Sequence, residues 1–225
     1  MTTNVQSGVV EVVDTPTAVT RTPDARNTVR LQLPLEATVT GSRALSWWGM
    51  VMLIITEATL FAALISAYFY LRFTSPTWPT GDIRRPELLL ASINTVVLLA
   101  SSWPMQMGVR NIRRGNERGL QIGVLIAWVL AVIFLSLQGV EYARSDFLPQ
   151  TNAYGSLFFT ITGLHGLHVL GGLGMATIVL IRAWRHHFNP ERYQAVENVA
   201  LYWHFVDGVW IAVFASLYLS PYLTT

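Results

Sequence analysis

Apolar and polar positions along this chain fall into long alternating blocks rather than short periods. Five stretches, approximately Leu45–Phe73, Leu88–Val109, Leu120–Glu141, Tyr154–Ile181 and Val196–Leu219, are almost continuously apolar. A bilayer core about 30 Å thick needs about 20 apolar residues in a helix, so each stretch predicts one membrane-spanning helix. Short polar segments rich in helix stoppers and charge separate them: TSPTWPTGDIRRP, RNIRRGNERG, ARSDFLPQTN and RAWRHHFNPERYQ. Strands are excluded because every block is much longer than a tilted barrel strand and lacks its alternation. The predicted fold class is therefore all-α, an integral membrane bundle of five transmembrane helices over residues 42–225. Residues 1–41 are polar, contain Pro16, Pro23 and Pro34, and have no apolar run after a basic start. They read as an extended cytoplasmic arm, not a secretory signal peptide; the alternative is that Leu31–Leu35 pins the arm to a partner.

Charge orients the bundle. All fifteen basic residues of the Lys/Arg class are arginines. Eleven of them (Arg21, Arg26, Arg30, Arg43, Arg110, Arg113, Arg114, Arg118, Arg182, Arg185 and Arg192) fall in the arm, the second–third loop and the fourth–fifth loop, which share one side. Only Arg72, Arg84, Arg85 and Arg144 fall on the other. The positive-inside rule then predicts a cytoplasmic N-terminus and an external C-terminus. Trp47, Trp48, Trp184, Tyr218 and Tyr222 lie near span ends, where amphipathic rings anchor at the interface.

Composition narrows the chemistry. Of the 225 residues 52% are hydrophobic and 12% charged, about half the charge of a soluble domain, and mean hydropathy is +0.42. The pI near 9.1 comes from arginines flanking apolar blocks, not from a basic stripe, which argues against nucleic acid. With no cysteine, disulfides, iron–sulfur clusters and thiolate metal sites are excluded.

The informative residues are the polar ones inside the spans, since a charged side chain at a helix centre costs about 2.5–3.5 kcal/mol on insertion scales. Span one carries Glu57, read either as a protonated structural acid between helices or as a proton-linked or lipid-facing carboxyl. Span two carries Asn94 and Thr95, expected to bond across helices. Gln138 and Glu141 end span three one turn apart and read as a helix cap or a contact to a neighbouring loop. Span four holds Gly155, Gly163, Gly166, Gly171, Gly172 and Gly174, expected to let another backbone approach. It also holds His165 and His168 on one face, as span five holds His204 and Asp207. Glu57, His165, His168 and Asp207 fall near mid-span and are expected to cluster at one depth. Three histidines and two carboxylates make a non-haem iron or zinc site on paper. The preferred reading is hydrogen-bonded helix locking without metal.

The motifs TEATLFAALISAYFY, SINTVVLLASS, LQGVEYA, YGSLFFTITGLHGLHVLGG and YWHFVDGVWIAVFASLYL, in that order, resemble subunit III of haem–copper cytochrome c oxidases over about Leu45–Tyr222. The fourth and fifth motifs carry the specificity. The resemblance implies an accessory subunit without haem or copper of its own, those cofactors residing in partner subunits. It implies packing beside subunit I in a complex with subunit II, phospholipids held in a cleft, support of proton entry and protection of the active site during turnover. It implies a multi-pass protein of the bacterial cytoplasmic (inner) membrane, with membership of a larger respiratory supercomplex as a further option. Glu57 matches the family's membrane-buried carboxylate and Arg182 an arginine that meets lipid headgroups, while His165, His168, His204 and Asp207 match structural signature positions. The family's long form has seven spans, and this chain starts at the equivalent of the third, so the missing cleft wall is expected from another subunit or from a different lipid arrangement. Competing readings are a quinol-oxidase or nitric oxide reductase subunit, and a small proton channel or transporter with Glu57 and Asp207 as relay groups.

Overall fold

The computed structural model describes residues 45–79 and 88–223. The chain divides into two units, Met1–Arg43 and Ala44–Thr225, and the expected arm lies outside the described residues. Five helices account for the apolar blocks: α1 (Leu45–Thr74), α2 (Leu88–Arg113), α3 (Glu117–Arg144), α4 (Ala153–Trp184) and α5 (Gln194–Val213). A π-helical turn, Phe214–Leu219, and a last α-turn, Ser220–Leu223, continue α5. All five are long and apolar enough to cross a membrane, and the described residues contain no strand. Most run three or four residues past the apolar blocks that predict them, because polar end residues still complete backbone turns.

Local chemistry sets the helix ends. Between α2 and α3, Gly115 adopts φ +77, its N–H bonds Ile112 O at 2.9 Å, and Asn116 N–H bonds Asn111 O at 2.9 Å. This is the Schellman termination that a left-handed glycine permits. Asn116 at once caps α3 by accepting from Gly119 N–H at 2.9 Å, and Asn152 caps α4 in the same way through Gly155 N–H, also at 2.9 Å. The end of α4 repeats the Schellman pattern with His186 at φ 55. There His187 N–H bonds Arg182 O, and His186 N–H bonds Ala183 O, both at 3.1 Å.

The π-helical turn runs up to Pro221. Ser220 N–H bonds Ala215 O, five residues back. Proline has no N–H to offer Ser216 O, and Ser220 Oγ donates to that carbonyl instead. The sequence therefore leaves one carbonyl short of a backbone donor and places a hydroxyl within reach of it.

Helices α4 and α5 form the centre, with Trp210, Tyr154, Phe158, Leu217 and Tyr218 fully or almost fully buried. Helices α2 and α3 pack as a hairpin against them. Helix α1 is peripheral: it buries Phe61, Tyr68 and Arg72 and no residue before Phe61. The tightest helix approach lies in the α2–α3 hairpin. A methyl group added at Gly123 would sit 2.5 Å from Pro104 O and 2.9 Å from Gly108 Cα, closer than atoms can pack. The expectation that the span-four glycines provide this approach is corrected: a methyl at Gly163, Gly166, Gly171 or Gly172 would meet only side chains at 3.5–3.8 Å, and one at Gly174 meets nothing within 4 Å. Of the α4 glycines only Gly155, 2.7 Å from Leu148 O by the same construction, is sterically required.

Gly123→Val is expected to destabilise the chain by about 1–3 kcal/mol through overpacking. Gly174→Ala should be neutral or stabilising by up to about 1 kcal/mol. Thermal denaturation of both variants in mild detergent checks this, and equal losses would contradict the packing described.

Candidate functional site

The intramembrane polar residues form interhelical sets rather than one centre. Glu57 on α1 meets His168 on α4, with Oε2 and Nε2 3.0 Å apart. The other ring nitrogen, Nδ1, lies 2.8 Å from Leu164 O. A carbonyl only accepts, so Nδ1 carries a hydrogen. One proton then remains between Nε2 and the carboxyl, and the pair has no net charge whichever group holds it. That neutrality is what a low-dielectric setting favours. Phe61 packs edge-on against His168 with centroids 5.0 Å apart, and Tyr202 OH donates to His168 O at 3.3 Å.

His165, one turn earlier, points elsewhere. It is wholly buried, and its Nε2–H donates to Val206 O at 3.2 Å. Trp210 lies 4.7 Å from it between ring centroids and Phe134 5.7 Å. Nδ1 of His165 has no hydrogen-bond partner among the described residues.

Helices α2 and α5 share a second set. Ser102 Oγ donates to Asp207 Oδ2 and lies 2.9 Å from His204 Nδ1. Nε2 of His204 is 3.1 Å from Gln106 Oε1. Asp207 is 4% exposed, whereas His204 is exposed. Spacing alone does not reveal that Ser102 and Gln106, one turn apart on α2, complete this set. Asp207 and His168, with Leu98 of α2, line one small cavity among α2, α4 and α5.

Towards the other end of α3, Gln138 is buried. It accepts from Asn94 Nδ2 at 3.4 Å and donates to Glu141 Oε2 at 3.0 Å. Gln138 thus departs from the expected helix cap or loop contact, because it reaches across to Asn94 of α2. Thr95 Oγ1 accepts from Trp210 Nε1 at 2.9 Å. Arg182 is exposed, and its guanidinium stacks over the Phe188 ring at 5.1 Å.

One set that the sequence does not disclose ties α1 to the end of the chain. Arg72, 8% exposed, donates through Nη1 to Ser220 Oγ and through Nη2 to Ser220 O at 2.6 Å. Tyr68 OH lies 3.3 Å from Ser220 Oγ and accepts from Trp78 Nε1 at 3.0 Å. In the sequence Arg72 is only one charge at a span end. Its partner lies 148 residues away, and a serine before a proline is the sole local hint.

Among the described residues no three His, Cys, Asp or Glu side chains converge as a metal ligand set would require. Five membrane-spanning helices joined by paired polar groups define a multi-pass membrane protein whose polar residues connect helices. A family model described as cytochrome c oxidase subunit III matches residues 33–222. A Synechocystis protein named cytochrome c oxidase subunit 3 is 37% identical over 180 residues, covering 80% of this chain and 77% of its own. The Oryctolagus cuniculus protein of that name is 36% identical, covering 76% and 68%. That of Thermostichus vulcanus is 33% identical, covering 76% and 85%. The chain belongs to the cytochrome c oxidase subunit III family, and so to an oxidoreductase complex with other subunits.

His168→Leu is expected to strand the Glu57 carboxyl and to destabilise the chain by about 1–3 kcal/mol. Glu57→Gln keeps the contact, since an amide N–H can donate to Nε2, and should lose less than about 0.5 kcal/mol. Denaturation midpoints in mild detergent read both, and an equal loss in the two variants would contradict the shared-proton pairing.

Proposed function

We propose that this chain is the accessory, non-redox subunit III of a proton-pumping haem–copper oxidase that takes electrons from cytochrome c and reduces oxygen to water. It packs on subunit I, holds phospholipids beside α1, and supports proton uptake and the durability of the active site. Haem and copper belong to the partner subunits, and the complex sits in a bacterial cytoplasmic membrane. The observation that best supports the reading is how the intramembrane groups are used. Glu57, His168, Ser102, His204, Asp207, Asn94 and Gln138 each bond a group on another helix, as expected of a scaffold whose chemistry lies in its neighbours. Helix α1 adds support, because only 6% of its apolar window is buried within the chain. Its outward face offers Trp48, Met52, Leu53, Ile55 and Leu60 to lipid or to a neighbouring subunit.

The proposal also fixes topology, with the α2–α3 and α4–α5 loops in the cytoplasm, where arginine is concentrated. Because the chain has no cysteine, single cysteines report position without background. In intact cells a membrane-impermeant maleimide is expected to label Asp146→Cys and to leave Arg118→Cys unlabelled; the reverse pattern would overturn the orientation. Mass spectrometry of the complex in mild detergent is expected to show this chain with haem- and copper-bearing subunits and retained phospholipid. Deleting the chain should leave haem spectra intact and shorten sustained turnover. A chain that purifies without any haem protein would overturn the functional reading.

A further inference from the structure

Asp207 raises a question of hydrogen-bond accounting. It is 4% exposed, and its two carboxyl oxygens fare differently. Oδ2 accepts from Ser102 Oγ. Oδ1 is buried and has no hydrogen-bond partner among the described residues. A carboxyl oxygen stranded in a low-dielectric interior is costly. The polar side chains nearby are committed elsewhere. His168 directs Nδ1–H to Leu164 O and faces Glu57 with Nε2. Tyr202 OH donates to His168 O at 3.3 Å, and Trp203 Nε1–H donates to Ser101 Oγ at 2.9 Å.

His168, Tyr202, Trp203 and Asp207 all line the small cavity among α2, α4 and α5, and Gly172 forms part of its wall. The cavity volume is about 10 Å³, which is room for one water molecule. Dioxygen or a lipid methylene chain is too large for it. Most of the wall is apolar carbon, and a wholly apolar cavity stays dry. Here, however, one wall residue carries an unbonded carboxyl oxygen, and ordered water is the partner such buried groups take when the protein offers none. A second contact is at hand. The hydroxyl oxygen of Tyr202, whose one hydrogen goes to His168 O, keeps lone pairs that can accept from a water.

We propose that this cavity is a site for one ordered water, which pairs with Asp207 Oδ1 and with the Tyr202 hydroxyl oxygen. The water serves Oδ1 whether or not that oxygen carries the carboxyl hydrogen, because water both donates and accepts. It joins the Glu57–His168 set, through Tyr202, to the Ser102–Asp207–His204 set, so that polar groups on α1, α2, α4 and α5 form one connected network. The site is internal to this chain and stands independently of the oxidase reading.

Two measurements on the full chain, purified from membranes in mild detergent, test this. A cryo-EM map of the assembly that contains it, at a resolution where other internal waters are seen, is expected to show one peak within hydrogen-bonding distance of both Asp207 Oδ1 and Tyr202 Oη. No peak, or a peak that reaches only one of the two, would overturn the proposal. Gly172→Ala gives an independent reading, whose sign separates a wet cavity from a dry one. The added methyl would lie 3.6 Å from atoms of both the Trp203 and the Tyr202 ring, an ordinary packing distance within the space they line. In a dry cavity it fills a void and replaces a helical glycine, which raises stability. In a wet one it displaces the water and strands Asp207 Oδ1. The denaturation midpoint of Gly172→Ala is therefore expected to fall by about 2–4 °C. Gly174→Ala, whose methyl meets nothing within 4 Å, should stay at or above the wild-type value. A Gly172→Ala midpoint at or above wild type would overturn the water site, and so would an equal fall in Gly174→Ala.

Discussion

Within a bilayer no water is available to satisfy a polar side chain, and lipid tails are as apolar as leucine, so burial alone gives helices little reason to associate. A polar side chain placed in a span is therefore stabilised by a partner on the protein. In this molecule that pairing supplies much of the tertiary structure. Glu57 and His168 connect α1 to α4, Asn94 and Gln138 connect α2 to α3, Ser102 connects α2 to Asp207 and His204 of α5, and Arg72 connects α1 to the end of the chain. Indole donors add to the scheme: Trp203 and Trp210 of α5 reach Ser101 and Thr95 of α2, each at 2.9 Å.

Steric contact and polar pairing divide the work among the helices. The α2–α3 hairpin is held by close backbone approach at Gly108 and Gly123, and its short turn is set by Gly115 and Asn116. Helices α4 and α5 interlock through aromatic rings, with Trp210 against His165 of α4, and Trp210 also meets Phe134 of α3. Helix α1 has neither device over its first half, and its polar contacts fall later, at Glu57, Tyr68 and Arg72.

The five helices were legible because hydrophobic run length is a local property of the sequence, and helix stoppers and charge marked the segments between them. Partner choice was not legible. His165 and His168 share spacing and surroundings in the sequence, yet one bonds a backbone carbonyl of α5 and the other a carboxyl of α1; only the packing angles of three helices decide between them. The glycines of α4 misled for a related reason. Small residues permit close approach but do not compel it: a methyl at Gly163 would meet only Tyr142 Oη at 3.8 Å, and one at Gly174 nothing within 4 Å. The roles of Ser102, Gln106 and Ser220 are not legible, because a serine or glutamine in a span carries no mark of its role until a distant histidine, aspartate or arginine is brought beside it.

The attachment of α1 has a mechanical meaning. Between Glu57 and Leu45 the helix extends about 18 Å with no fully buried side chain. It is a lever held at the Arg72 end, braced by the Glu57–His168 contact and by Phe61 on the His168 ring, with Met50 resting on the core. A tilt of about 10° at the brace carries the free tip about 3 Å sideways, roughly the width of a methylene chain. The carboxyl–imidazole contact is thus one of the few restraints on how far the Leu45 end swings from the bundle.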